Sequence, residues 1–402
     1  MSRSLTTFVW ATTLSIICVF CSDVLHAATK HYVVSNDDVN GPNTLTFYLA
    51  SGTSSATKLT RIKTIKTGGK GEGGGFFGIP RQALVANGGH ECVFAADGAT
   101  NDIAAAILET QTLVGRSKGS KTDINGQGGM GLIASSNGKY LYAGFSGSFT
   151  IATFKVGVGC SLSFMADVAA MGINSGIPHG MASRGDVLVL AYGDGSIESF
   201  NISGGVPVSN GDLQLSTGFN EDNVFPDGVD MTKDGHFAIF GDASGQFSEV
   251  EVSDLSSGKL SKTVKYGSPT HGLGQGLAAN NVQLSPDETL LYVSDNLSGQ
   301  VTAAYFNKTT GKLHYGCISK PLKGFETTWR FSSAIATESG FGTGSVLWVA
   351  EDPVGSGQSS VGAVEVTSKA GKCTLTESTK SPAIDANSKN LCWISAFPPR
   401  PF

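Results

Sequence analysis

The chain has little charge, few cysteines, no long apolar run beyond its start and no long helical pattern, and each shortage excludes something. Asp, Glu, Lys and Arg make up 15% of the 402 residues, with a formal net charge of −5 and no basic stripe. Nucleic acid and anionic membrane surfaces are therefore excluded as expected partners. After the first residues, no apolar stretch approaches the roughly 20 residues of a membrane-spanning helix. No Cys-x-x-Cys occurs, which removes a cysteine-built zinc site. Neither Gly-x-Ser-x-Gly nor His-Glu-x-x-His occurs, so a serine-hydrolase or zinc-protease reading has no support.

What is present is a phrase that recurs about every 50 residues. It is clearest from Val282 to Asp295. There an apolar strand leads to the turn Pro286-Asp287, and a second apolar strand ends on an acid. The same phrase covers Ala83–Asp97, Gly131–Phe145, Met181–Asp194, Val229–Asp242 and, more loosely, Ser333–Asp352. A weaker copy, Tyr32–Asp37, stands near the start. Seven copies of a strand-turn-strand unit at this period predict an all-β, seven-bladed β-propeller of four-stranded antiparallel blades. The sixth unit predicts all four strands: Asn281–Leu284, Leu290–Ser294, Val301–Phe306 and Leu313–Ser319, divided by Pro286-Asp287, Leu297-Ser298-Gly299 and Thr309-Thr310-Gly311. The alanine-rich run Ile103–Leu108 reads as a third strand, because its unit needs one there. Leu391–Phe397 reads as a last strand that completes the first or last blade and so closes the ring. Thr67–Phe77 holds Gly68 to Gly75 with Lys70, but no Gly-Lys-Ser/Thr. It reads as a flexible inter-blade loop, not a phosphate cradle.

Residues 1–28 read as a secretory signal peptide. Arg3 supplies the basic start, Phe8–Phe20 the apolar segment, and Leu25-His26-Ala27-Ala28 the small-residue end. Residues 29–402 then form one propeller domain, expected to be secreted, extracellular and monomeric. Five cysteines follow: Cys92, Cys160, Cys317, Cys373 and Cys392. An oxidising compartment allows disulfides, and the odd count leaves at least one thiol. Cys373 and Cys392 make the best pair, since both fall in the last unit. Asn201, Asn296 and Asn307 head N-x-S/T sequons, which matter in a eukaryotic host.

Aligning the units predicts two rings of residues at the channel mouth. Arg81, Gly129, His179, Asp227, Asn280 and Arg330 precede the first strands. Asp37, Asp97, Ser146, Asp194, Asp242, Asp295 and Asp352 follow the second strands. A histidine, two arginines and several carboxylates in one funnel suit an anionic or polyhydroxy ligand, or a general base beside positive charge. His179, at a strand entrance next to Gly180, is the expected base, with Arg81, Arg330 and Asp242 beside it. Asp97, Asp194, Asp227, Asp295 and Asp352 are the expected ligand-binding residues. A plainer account competes: aspartate recurs after each strand because it caps turns. No metal site is predicted from a contiguous motif, although the ring of oxygens would suit calcium. His90 and His236 fall on the opposite face, and His271 lies in a connector.

The units Val282–Leu313 and Ile177–Ile202 resemble the lactonase-type seven-bladed propellers, which include 6-phosphogluconolactonase and carboxy-cis,cis-muconate cyclase. His179-Gly180-Met181 matches the cyclase motif at a blade entrance. The resemblance implies chemistry on a small lactone or sugar acid at the channel mouth. The sequence departs from the cyclase pattern at Pro226-Asp227 and at Asp295-Asn296, where the family has arginines, while Asp242 keeps the acid. Lost positive charge weakens stabilisation of a developing carboxylate or enolate, unless Arg81 and Arg330 supply it. The alternative is a non-catalytic extracellular module that binds carbohydrate or protein through its loop face.

Overall fold

The computed structural model describes residues 30–52, 56–71, 82–87, 90–118, 129–215, 226, 228–242, 249–266, 279–295, 298–323, 330–338, 345–353, 358–369, 371–384 and 393–397. They form seven antiparallel sheets, each a four-stranded meander. The seventh carries one extra short strand, Ala383–Ile384, on its third strand. The first strands of neighbouring sheets touch one another in an unbroken ring, so they line the axis of a seven-bladed propeller.

Blade 1 is assembled from both ends of the chain. Its inner strand is Trp393–Phe397, hydrogen-bonded to Tyr32–Asn36, followed outward by Gly41–Ser51 and Lys58–Gly71. The last strand thus completes the first blade and closes the ring. Blade 6 matches its sequence reading almost residue for residue: Ala279–Leu284, Leu290–Asp295, Gln300–Asn307 and Lys312–Ile318. The alanine-rich run is indeed a third strand, Asp102–Ile107. The glycine-rich segment differs from expectation. Its start, Thr67–Gly71, continues the outer strand of blade 1, because Gly41 and Pro42 of the third strand pair with Gly71 and Lys70. Residues 72–77 lie outside the described set.

Second strands read as unbroken apolar runs because both of their faces are buried. Leu291 and Val293 pack toward blade 5, and Leu290 and Tyr292 toward blade 7. Cys92 and Phe94 face blade 3, and Val93 and Ala95 face blade 1. Seven apolar clusters result, one at each blade-to-blade interface. Each fully buried Phe, Leu or Val contributes about 1.5–3 kcal/mol of transfer free energy, so the core is a set of wedges between blades.

Two disulfides staple neighbouring blades. Cys92–Cys160 joins blades 2 and 3, and Cys317–Cys373 joins the outer strands of blades 6 and 7. The second corrects the expected Cys373–Cys392 pair. Cys373 lies on an outer strand, with its Cα 5.7 Å from that of Cys317. Cys392 is outside the described residues.

Candidate functional site

Inner strands begin, and second strands end, on the same face of each blade, because the two run antiparallel. Both predicted rings therefore share one face. Four inner strands change register at this end: between Gly129 and Leu132, Pro178 and Met181, Ala279 and Asn281, and Ser332 and Ala334. Such bulges turn side chains away from the regular alternation, and they concentrate at rims and working sites. His179 and Asn280 sit on two of them.

His179 is the second residue of the inner strand Pro178–Arg184 and is 2% exposed. Two missing side chains make its seat. A Cβ on Gly193 would come within 2.9 Å of His179 Nε2. A Cβ on Gly131, in the inner strand of blade 3, would stand 2.4 Å from the His179 carbonyl and 2.5 Å from Met181 Cγ. The His179 carbonyl and the Met181 side chain thus help dock blade 4 against blade 3. The histidine occupies a notch lined by backbone at the mouth end of the joint.

The described acids of the second ring follow their second strands and differ in role. Asp37 accepts bonds from Ser35, Thr44 and Thr46. Asp194 holds the connector between blades 3 and 4: its Oδ2 accepts from the amides of Asn174 (2.7 Å) and Gly176 (3.2 Å), and its Oδ1 from Ser196. Asp295 accepts from Thr302 Oγ1 at 2.6 Å. In blade 7 the acid that plays this part is Glu351, bonded by Ser360 at 2.6 Å, one residue before the expected Asp352. Most of these carboxylates clamp their own hairpin, as turn chemistry alone would have them do. Asp97 is fully buried, and Asp242 is 2% exposed beside the buried Glu249 and Glu251. Arg81 and Asp227 lie outside the described residues. For Arg330 and Asp352 only the backbone is described: Arg330 pairs with Pro353, and Asp352 with Phe331. His271 is outside the described set, and His236 is exposed on the opposite face, as expected. Among the described residues, no three His, Cys, Asp or Glu side chains converge as metal ligands.

The recurring hydroxyl on the third strand was missed from sequence. Its signal was available, as a Ser or Thr two to nine residues after Asp37, Asp194, Asp295 and Glu351.

No family model and no curated protein matches the chain. Solved structures do match. A Bacteroides fragilis protein provisionally described as a 6-phosphogluconolactonase superposes with a TM-score of 0.66 at 14% identity, over 92% of this chain and 99% of its own. A functionally unknown protein of Desulfotomaculum acetoxidans gives 0.61 at 13% identity, over 92% and 99%. The periplasmic gluconolactonase of Pseudomonas aeruginosa gives 0.52 at 15% identity, over 71% and 80%. At such identities the likeness is one of fold: the chain shares the seven-bladed architecture of the lactonase-type propellers.

Proposed function

We propose that this protein is a secreted, monomeric, lactonase-like propeller that hydrolyses a small lactone of the sugar-acid class at its channel mouth. The observation that carries the reading is the seat of His179: on a bulge at an inner-strand entrance, with Nε2 turned toward the notch left by Gly193. The propeller neighbours described as 6-phosphogluconolactonase and gluconolactonase support the substrate class. Two disulfides support an oxidising compartment, in keeping with a signal peptide over residues 1–28.

In this reading His179 Nε2 takes a proton from a water as its oxygen attacks the lactone carbonyl. Arg81 and Arg330 steady the oxyanion of the tetrahedral intermediate. The intermediate collapses by breaking the bond to the ring oxygen, which leaves with the proton held by His179. The product is a hydroxy acid, and one water is consumed. Asp242 holds the histidine side of the mouth polar, and Asp194, Asp227 and Asp352 form the rim that meets the ligand's hydroxyls, while the fully buried Asp97 and Asp295 brace the blades beneath it.

A second reading is a non-catalytic module for extracellular carbohydrate or protein. One observation favours it: Met171 and Ile173, on the connector between blades 3 and 4 at the mouth face, are 56% and 48% exposed. Acid release from a panel of aldonolactones, followed with a pH indicator, separates the two. The lactonase reading expects turnover of at least one five- or six-membered lactone. Absence of turnover across the panel in a folded sample, with retention on a glycan array, favours the module.

A further inference from the structure

We propose that Asp97 and Asp102 share one proton and form an acid-closed latch between blades 1 and 2. One clamp recurs in the hairpins of blades 1, 4, 6 and 7. The ring acid accepts a bond from a third-strand hydroxyl: Thr44 and Thr46 for Asp37, Ser196 for Asp194, Thr302 for Asp295 and Ser360 for Glu351. In blade 2 the third-strand partner is another acid. Asp97 ends the second strand, Asp102 begins the third, and the two are directly paired in register.

The surroundings leave one arrangement that satisfies every atom. Asp97 Oδ1 accepts from Asn43 Nδ2 at 2.8 Å and Thr67 Oγ1 at 2.7 Å, both from blade 1. Asn36 of blade 1 reaches across as well, to the Ala96 carbonyl at 3.0 Å. Asp102 Oδ2 takes the Arg116 guanidinium at 2.7 Å. The remaining oxygens, Asp97 Oδ2 and Asp102 Oδ1, are buried and receive no donor among the described residues, and the two side chains lie within hydrogen-bonding reach of each other. A Cβ on Gly69 would fall 2.3 Å from Asp97 Oδ2, so the outer strand of blade 1 closes over this oxygen and leaves no room for a hydrated cation. A proton fits. Asp102 already accepts from the Arg116 guanidinium through Oδ2, so Asp97 carries the proton and donates it to Asp102 Oδ1.

The other charged side chains on the packed elements are Asp37 and Asp38 after the second strand of blade 1, Lys58, Arg61, Lys63, Lys66 and Lys70 on its outer strand, Glu91 at the far end of the second strand of blade 2, and Lys118 beside Arg116. Burial, and then Asp102, push the Asp97 carboxyl up to about 7, against the pull of Asn43 and Thr67. The folded pKa is thus raised above the unfolded value of 3.8. The stabilisation is complete below about pH 4, is lost as pH rises to about 7, and changes no further above that. Ionisation then leaves two buried carboxylates in contact and loosens the joint on the mouth face.

The test is urea unfolding of wild type and Asp97→Asn from pH 4.5 to 9. Asparagine keeps the acceptor for Asn43 and Thr67, and its amide donates to Asp102 permanently. Between pH 4.5 and 6.5 the unfolding constant of wild type should rise ~10-fold per pH unit relative to the variant, the signature of one released proton, and then run parallel. Asp102→Thr, which installs the hydroxyl of the other blades, should remove the same slope. In wild type labelled at the aspartate carboxyl carbons, one NMR signal should titrate near neutrality. Parallel curves for all three proteins, or no such signal, would overturn the latch. So would a wild-type midpoint at pH 7.5 that calcium raises and Asp97→Asn abolishes, which would make the pair a cation site.

Discussion

Gly131→Ala is the perturbation that joins the fold most closely to the site. The added carbon would stand 2.4 Å from the carbonyl of His179, and 2.5 and 2.7 Å from Cγ and Sδ of Met181. Met181 can swing away, but the carbonyl belongs to the inner strand of blade 4. Relief therefore requires that strand to move by close to 1 Å away from blade 3, from 2.4 Å to the 3.4 Å of ordinary contact, taking His179 with it. Overpacking a well-filled interface costs typically 1–3 kcal/mol, and a backbone obstacle puts this case at the upper end, about 3 kcal/mol. With an unfolding entropy of ~2.1 cal/mol/K per residue over roughly 370 residues, that lowers Tm by ~4 °C. Turnover should fall more steeply than stability, since a shift near 1 Å at a reacting group costs up to ~100-fold. Two controls bracket the result. At Gly144 the new carbon crowds Pro178 Cβ, at 2.9 Å, while Gly131 N and Met181 Sδ stand at an ordinary 3.7 Å, so the loss should be smaller. At Gly115 it meets nothing within 4 Å, so the change should be neutral or slightly stabilising. Calorimetry and lactone turnover on the three variants decide. Gly131→Ala as benign as Gly115→Ala would refute the claim that blade 4 docks through this glycine.

Other substitutions probe the wedges, staples and clamps. Trp348→Ala empties the largest fully buried side chain, at the joint of blades 7 and 1, and should cost about 3–5 kcal/mol in urea unfolding. Cys317→Ser opens a loop of sequence separation 56 and should cost about 4 kcal/mol on the chain-entropy account, with mass spectrometry then finding Cys373 reactive to alkylation. Asp194→Ala frees the amides of Asn174 and Gly176, so hydrogen exchange in the connector 171–176 should accelerate while the rest of blade 4 keeps its protection.

The fold was legible because its punctuation is regular. In blade 6 each hairpin is marked by its own turn residues, and the strands were read to within a residue or two. The doubly buried second strands announced themselves as apolar runs. Features that depend on which blades face each other were not legible. Cys317 and Cys373 are 56 residues apart and meet only because outer strands of successive blades lie side by side. Lys58–Gly71 extends into the glycine run because a neighbouring strand supplies partners, which no local propensity records. The site was legible in its places and not in its directions. Asp37, Asp194 and Asp295 follow their second strands as the repeat predicts, but hydroxyls from the third strands turn them into hairpin clamps, and in blade 7 Glu351 takes that part. The Asp97–Asp102 contact follows from hairpin register, and a separation of five residues says little until that register is known.

The central claim is that His179, in its notch beside Gly193, is the base of a lactone hydrolysis. The most direct measurement is kcat/KM on the best aldonolactone for wild type and His179→Gln, which fills the same seat without an imidazole, at matched Tm. The account predicts a fall of ~100-fold or more, the share a positioned general base supplies. Equal kcat/KM in the two folded proteins would contradict it and move the chemistry away from His179.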